Sequence, residues 1–491
     1  MTTIEKTEPR DCRNFVGGEW VSATGSQAFD DHDPFTGDVV ARVAAGTRED
    51  AASAVAAATQ AFEGWWHTPP AEKQRVFLKA ADLLESRAEE VAGWLTRETG
   101  ATFGFSMFQL HFVPGLFRQA AAIAYSPIGE VIPSDVGQFA MGLRRPVGVV
   151  GAIAPWNAAL ILSARSIAAP LALGNTLVLK PSELSPYSGG LLWGEIFSEA
   201  GLPAGVLNIV THAPGDAAEI GDEFVENPGV RRINFTGSSA TGRRLAEAAG
   251  RQLKRVVLEL GGHNPLIVLA DADIDYAVNA SAFGAYMHQG QICMSTRRII
   301  VERPVADEFT EKLAAKTKTL KTGDPNEHDT IIGPLITAGA LDLVRTRVED
   351  VVEQGATVLA GGEADGPCYR ATLLADVPPD SEFAQHETFG PVAAIEVVDD
   401  ADEAIERANA TAYGLSSGII TQDADRGLLL AQRIDAGIVH VNDQTVGDEP
   451  QMPFGGVKDS GFGRFGGTAV MDEFTELRWV TVTSAPHPYP F

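Results

Sequence analysis

Cysteine is scarce in this chain: Cys12, Cys293 and Cys368 are the only three among 491 residues. An odd, widely spaced set makes no disulfide framework, and no pair has the short spacing of a zinc site. The 10 histidines are scattered rather than grouped with thiols or acids, so no metal centre is expected. Basic charge is scarce as well: 38 lysines and arginines stand against 65 acids, a net charge of −27. An acidic surface repels polyanions, which argues against nucleic acid or an anionic membrane as partner. Long apolar runs are also missing. The longest, about 147–162, is interrupted by Pro155, Trp156 and Asn157 and falls short of a bilayer span. Residues 1–14 are polar and charged, without an apolar signal core or the Arg-rich character of a transit peptide. A cytoplasmic location is the expectation.

The chain does have length, glycine and alternation. At 491 residues it is too long for one core, so two or three packed domains are expected. With 45% hydrophobic and 21% charged residues it reads as globular, and 50 glycines suit many tight strand-to-helix turns. Between about 146 and 259, strands are expected at 147–154, 176–180, 206–210, 230–235 and 255–260. Helices are expected between them at 158–173, 188–200, 216–222 and 239–251. Strands alternating with helices imply βαβ units and a parallel sheet. A second α/β region begins near 264, with a strand at 265–269, a helix at 274–287 and a strand at 298–301. Residues 129–145 read as a hairpin and 478–484 as a β-rich tail. Together these segments either form a small sheet that pairs with another subunit or are an edge hairpin and a frayed end.

Five short motifs carry chemistry. In Gly290-Gln291-Ile292-Cys293 the thiol follows a helix and a turn glycine, where a side chain can be presented. A lone internal cysteine is a small buried hydrophobe unless its environment activates it. In Leu258-Glu259-Leu260-Gly261-Gly262 a carboxylate ends an apolar strand. Burial would raise its pKa toward that of a general base, whereas exposure or pairing with Lys254 or Arg255 would make it structural. Asn157, in Ala154-Pro155-Trp156-Asn157, ends the first strand. It can donate to a developing oxyanion or cap the next helix. Lys180-Pro181-Ser182-Glu183 ends the second strand, where an acid can accept from ribose hydroxyls and repel a 2′-phosphate. Phe235-Thr236-Gly237-Ser238-Ser239-Ala240-Thr241-Gly242 joins a strand to a helix whose free N–H groups suit a pyrophosphate.

Taken in order, these residues resemble the aldehyde dehydrogenase superfamily. The match begins at Asn14-Phe15-Val16-Gly17-Gly18-Glu19-Trp20 and runs to about Glu476. It also takes in Glu387-Thr388-Phe389-Gly390-Pro391-Val392 and Pro453-Phe454-Gly455-Gly456. The resemblance implies that Cys293 is the nucleophile, Glu259 the water-activating base and Asn157 the oxyanion donor. It implies NAD as cofactor, held by Trp156, Lys180, Glu183, Gly237, Ser238, Gly242, Glu387 and Phe389. Glu259 favours hydrolysis to a free acid over transfer to CoA. One departure is His263, where the family more often has Lys; its effect on local pKa values is open.

The implied fold is α/β. A Rossmann-like cofactor domain takes 1–128 and 151–262, and an α/β catalytic domain takes 263–440. A bridging segment takes 441–476, and oligomerisation strands take 129–150 and 477–491. A homodimer or homotetramer is expected. Within the resemblance, the segments 440–454 and 464–467 are similar to the aryl-aldehyde branch, which acts on benzaldehyde, vanillin and salicylaldehyde. Aromatic aldehydes, and a role in aromatic catabolism, are therefore expected. Ala158 leaves room for a ring, and Arg165, Ile161 and Phe454 are candidate pocket residues. Arg165 could instead be a structural ion pair. Phe103, Phe105, Phe108 and Phe112 cluster upstream as core, one or two of them near the substrate. The competing expectations are a broad aliphatic or semialdehyde dehydrogenase and, against the retained Cys293, Glu259 and Asn157, a non-catalytic structural protein.

Overall fold

The computed structural model describes residues 8–484 and 489–491; the extremities of the expected cofactor domain (1–7) and of the tail (485–488) lie outside the described residues. Two open sheets organise the chain. The first has eight strands, and its five central ones are parallel. In spatial order they are Arg255–Glu259, Val230–Thr236, Val149–Ile153, Thr176–Lys180 and Leu207–Ile209. Each expected strand of this region is present within two residues of its expected ends. Their Val/Ile/Leu-rich runs are buried on both faces, as parallel strands covered by helices must be.

From Val149–Ile153 the chain winds one way to Thr176–Lys180 and Leu207–Ile209, then returns to add Val230–Thr236 on the other side. That reversal leaves a crevice at the carboxyl ends of Val149–Ile153 and Val230–Thr236, the place where such sheets bind ligands. The helix Ala159–Ala172 follows the first strand and is buried at every position. Its Ala/Leu/Ile composition is apolar on all sides, which suits a helix enclosed by protein rather than a surface one.

The second sheet has seven strands, with Asn264–Val268 and Thr296–Glu302 parallel neighbours at its centre. Only four residues separate Glu259, the last of the first sheet's parallel strands, from Asn264, so the two sheets meet at the Glu-Leu-Gly-Gly turn. A third sheet joins Gly129–Ile132, Phe139–Pro146 and Thr475–Val482, all antiparallel. The hairpin and the tail therefore pair with each other across more than 300 residues of sequence.

Two differences from expectation are informative. The helix expected over 188–200 starts as a wide π turn, Tyr187–Leu191, before the α-helix Leu192–Ala200. There the Tyr187 and Ser188 N–H groups donate to the buried Glu98 carboxylate at 2.8 and 2.6 Å. The segment expected to bridge also contributes a strand, Gly461–Phe462, to the edge of the first sheet beside Glu259. Among the described residues no helix is long and apolar enough to cross a membrane.

Candidate active site

Cys293 sits where two structural devices meet. The helix Ile274–Tyr286 ends, and the chain turns through His288, Gln289 and Gly290, all at positive φ. A Cβ on Gly290 would stand 2.1 Å from the Gly390 carbonyl, so only glycine passes here. The turn is pinned by the buried Arg297, which donates to the Gly390 carbonyl at 2.5 Å and to the Gly290 carbonyl. Gln289 Nε2 reaches the Gly100 and Pro334 carbonyls at 2.9 and 3.0 Å. Asn264 then takes the Cys293 carbonyl at 2.8 Å. The thiol is thus presented on a turn just before the strand Thr296–Glu302, as the order helix, glycine, cysteine suggested.

The two glycines after Glu259 have separate spatial reasons. A Cβ on Gly261 would meet the Glu387 carboxylate at 2.4 Å, and one on Gly262 would meet the Cys293 carbonyl at 2.4 Å. The Gly262 N–H donates to Glu387 Oε1 at 3.2 Å. The motif lets the nucleophile turn and Glu387 close against the end of the Glu259 strand.

Glu259 is buried, and neither carboxylate oxygen has a hydrogen-bond partner among the described residues. Burial pushes its pKa up to about 8, against the opposing pull of Arg165 and Arg464. The structural alternatives fail: Lys254 donates to the Phe224 and Asn227 carbonyls, and Arg255 lies beside Glu473. Gly455 lies against the acid, where an added Cβ would stand 2.9 Å from Oε1. Burial, reinforced by Glu259 and Glu387, also raises the Cys293 thiol, so both groups rest protonated at neutral pH.

Asn157 does not cap the helix that follows it; Ala158 occupies that position. Its amide instead donates to the Gln291 carbonyl at 3.0 Å, beside the nucleophile. An NH₂ group has two protons, and the second is available to a substrate oxygen.

The expected cofactor residues fall at or just beyond the carboxyl ends of the strands Val149–Ile153, Thr176–Lys180 and Val230–Thr236, at Gly242 in the helix that follows the last of these, and in the loop that carries Glu387 and Phe389. Ser238 is the N-cap of the helix Ser239–Arg251 and accepts from Thr241 N–H at 3.3 Å. A Cβ on Gly237 would hit the Phe235 ring at 2.6 Å and one on Gly242 the Leu260 side chain at 2.4 Å. Across the crevice Trp156 and Phe389 meet edge to face at 5.7 Å. Glu387 is pushed up to about 7 by burial, opposed by Arg297. Lys180 is buried at its strand end, with Nζ 2.5 Å from His212 Nε2. Glu183 is partly exposed, 3.7 Å from the same imidazole. A helix N-terminus cleared by glycines, an acid at the second strand end and an aromatic pair fit a dinucleotide.

Arg165 forms an ion pair with Asp448, and both side chains are buried. Its guanidinium lies 4.1 Å over the Phe454 ring and 5.6 Å from Phe112, and its Nη1 has no partner. The ion-pair reading is therefore present in the structure, with one donor left over. Ile161 and Ala158 are buried on and before the same helix. Of the aromatic cluster, Phe105 stacks on His288 at 4.2 Å, whereas Phe103 is partly exposed and packs on His328. His263 turns away from Glu259: its Nε2 lies 3.3 Å from the Phe383 carbonyl, and burial lowers its pKa to about 3, so it carries no charge. Sequence reasoning missed Asp448, Arg297, His212 and His288 as parts of the site. The one sequence signal for His212 is its position directly after a buried strand. Among the described residues no group of three or more His, Cys, Asp or Glu could hold a metal ion.

The family model for the aldehyde dehydrogenase family matches residues 20–480. The chain belongs to the aldehyde dehydrogenase family. Among its relatives is a vanillin dehydrogenase of Pseudomonas sp. (strain HR199 / DSM 7063), 48% identical over 476 residues, 97% of this chain and 98% of that protein. A benzaldehyde dehydrogenase [NAD(+)] of Pseudomonas putida is 44% identical, covering 96% of this chain and 97% of that protein. Among solved structures, a salicylaldehyde dehydrogenase from Pseudomonas putida G7 complexed with salicylaldehyde superposes with TM-score 0.96 at 42% identity. That match covers 98% of this chain and 100% of the other.

Proposed function

We propose that this aldehyde dehydrogenase oxidises aromatic aldehydes of the benzaldehyde, vanillin and salicylaldehyde type to the carboxylic acids, with NAD as cofactor. The observation that carries the reading is Glu259: a buried carboxylate without a partner, electrostatically coupled to Cys293. A fold retains an uncompensated buried acid at a cost, which points to chemistry rather than structure. The aromatic preference is supported by the relatives' substrates and by the Arg165 cation over Phe454, with the small Ala158 buried just before the helix that carries Arg165.

Cys293 Sγ releases its proton to solvent and adds to the aldehyde carbon. The new oxyanion accepts hydrogen bonds from Asn157 and from the Cys293 N–H, contacts that gain strength only as charge develops. NAD, when bound, supplies the acceptor for the hydride that leaves this adduct. The product on the enzyme is a Cys293 thioester. Glu259, in the ionised form that a pKa of about 8 keeps accessible near neutrality, then takes a proton from water; the water oxygen attacks the thioester, the acid leaves and Cys293 departs as the thiolate. Lys180 and Glu183 would hold the adenosine ribose, Ser238 with Gly237 and Gly242 the pyrophosphate, Glu387 the nicotinamide ribose, and Trp156 and Phe389 the ring's surroundings.

In this reading the cofactor domain comprises 1–128 and 151–262, the catalytic domain 263–440 and the bridging segment 441–476; 129–150 and 477–491 pair subunits in a homodimer or homotetramer. Trp479, 79% exposed, and the exposed Leu477 and Phe139 on the third sheet support an assembly. A cytoplasmic site suits the cofactor. The test is NADH formation at 340 nm (an assay wavelength) over benzaldehyde, vanillin, salicylaldehyde, hexanal and succinic semialdehyde. A kcat/KM preference for the aromatic members is expected; a flat or aliphatic-leaning profile would reject the substrate class and leave the chemistry.

A further inference from the structure

His212 lies just beyond the third parallel strand, beside the end of the second. The loop that carries it is fixed: Thr211 donates through its N–H and hydroxyl to Asn14 Oδ1, both at 3.0 Å. A Cβ on Gly46 would meet the Thr211 carbonyl at 2.3 Å, so the backbone packs tightly here. The imidazole is fully buried. Its Nδ1 is 2.9 Å from the Ala213 carbonyl, which can only accept, so the proton sits on Nδ1. Nε2 therefore presents a lone pair, and Lys180 Nζ, 2.5 Å away, donates to it. Lys180 spends a second N–H on the Pro181 carbonyl at 3.2 Å. Glu183 Oε2 is 3.7 Å from the same Nε2, too far for a hydrogen bond.

We propose that His212 is a specificity-determining residue for the cofactor: it ties the Lys180 amine back to the strand ends and keeps it from pairing directly with Glu183, which stays an acceptor for a ribose 2′-hydroxyl and repels a 2′-phosphate. This rests on the reading of Lys180 and Glu183 as the ribose contacts. Without His212 the Lys180 ammonium is free to swing outward. There it neutralises Glu183 or meets a 2′-phosphate itself, and both outcomes favour NADP relative to NAD. Burial supports the arrangement, because it holds His212 neutral, with its pKa lowered to about 4, and brings Lys180 down to about 8.

The test is direct binding of NAD and NADP to the apoenzyme, read by quenching of tryptophan fluorescence, in wild type, His212→Ala and His212→Gln. In His212→Ala the ratio of the NADP Kd to the NAD Kd is expected to fall about tenfold, the worth of one hydrogen bond to a charged group. His212→Gln keeps an acceptor for Lys180 and is expected to hold the ratio near wild type, which a packing role would not predict. An unchanged ratio in His212→Ala, or equal weakening of both cofactors, overturns the proposal. Glu183→Ala separates the two levels: if it leaves NAD binding intact, the ribose-site reading itself is wrong.

Discussion

Replacing Glu259 by Gln should stabilise the fold while stalling the enzyme. Both effects come from the same unpartnered carboxylate. Burial raises its pKa from 4.5 to about 8. Between those limits the native state holds a proton that the unfolded chain has released, so stability falls as pH rises through this window and levels off above it. At about 1.4 kcal/mol per pH unit, a rise of about 3.5 units costs the wild type up to about 5 kcal/mol at high pH. Glutamine is nearly isosteric, does not titrate and escapes this cost. Thermal melting of both proteins from pH 5 to pH 9 (assay settings) should therefore diverge. The variant's advantage in Tm should grow toward pH 8 and then hold constant. Turnover should move the opposite way. Acylation should still release a burst of NADH, after which the thioester hydrolyses slowly for want of a base. A Tm difference that ignores pH, or shrinks as pH rises, would refute the burial argument. Loss of the burst would assign Glu259 an earlier duty, accepting the Cys293 proton.

The remaining expectations concern single groups. Cys293→Ala should abolish aldehyde oxidation and leave NAD binding unchanged by fluorescence titration; residual oxidation would remove the covalent mechanism. Asn157→Ala should lower kcat by about 10² to 10³ with a smaller change in KM, the signature of a donor used in the transition state. It also loses the tie to the Gln291 carbonyl, so NAD affinity and Tm of Asn157→Ala, both expected near wild type, are the control for displacement of the turn. Asp448→Asn should destabilise the fold by about 3–5 kcal/mol by denaturant titration, because it strands the Arg165 charge in the interior. An aromatic preference in kcat/KM that survives Arg165→Leu would assign Arg165 to the ion pair alone.

The parallel sheet was legible because its strands announce themselves twice. Runs such as Thr176–Lys180 are apolar at nearly every position, and each is separated from the next by a helix-length stretch. The candidate catalytic residues were legible through their neighbours rather than their own identity. Glycine beside Glu259 and Cys293 encodes close backbone approach, and the structure shows what each glycine admits: Glu387, the Cys293 carbonyl and the Gly390 carbonyl. Partnerships across long sequence distances were not legible. Nothing near Arg165 in sequence points to Asp448, 283 residues on, and nothing near Lys180 points to an imidazole 32 residues away. Sequence spacing constrains helices and strands, whereas these pairs depend on how loops from separate strands converge.

The nucleophile turn shows how such convergence is maintained. His288 and Gln289 are non-glycine residues in the left-handed region, at φ 50° and 54°, which costs on the order of 1–3 kcal/mol each. His288 is also buried with neither ring nitrogen partnered among the described residues. A segment left to itself would relax into an ordinary helix end. Arg297, Gln289 and Asn264 prevent this by occupying the carbonyls of Gly290, Gly390, Gly100, Pro334 and Cys293, and Phe105 covers the His288 ring. Three of these anchors donate from side chains onto backbone that no regular element satisfies, so each removes an unpaired carbonyl as well as fixing a position. The strain therefore sits where it can be useful, holding the Cys293 thiol at the junction of both sheets, within the field of Glu259 and beside the Asn157 amide. Relaxing the turn would move the nucleophile before it disturbed either sheet, which is why the anchors of the turn belong to the site as much as the thiol does.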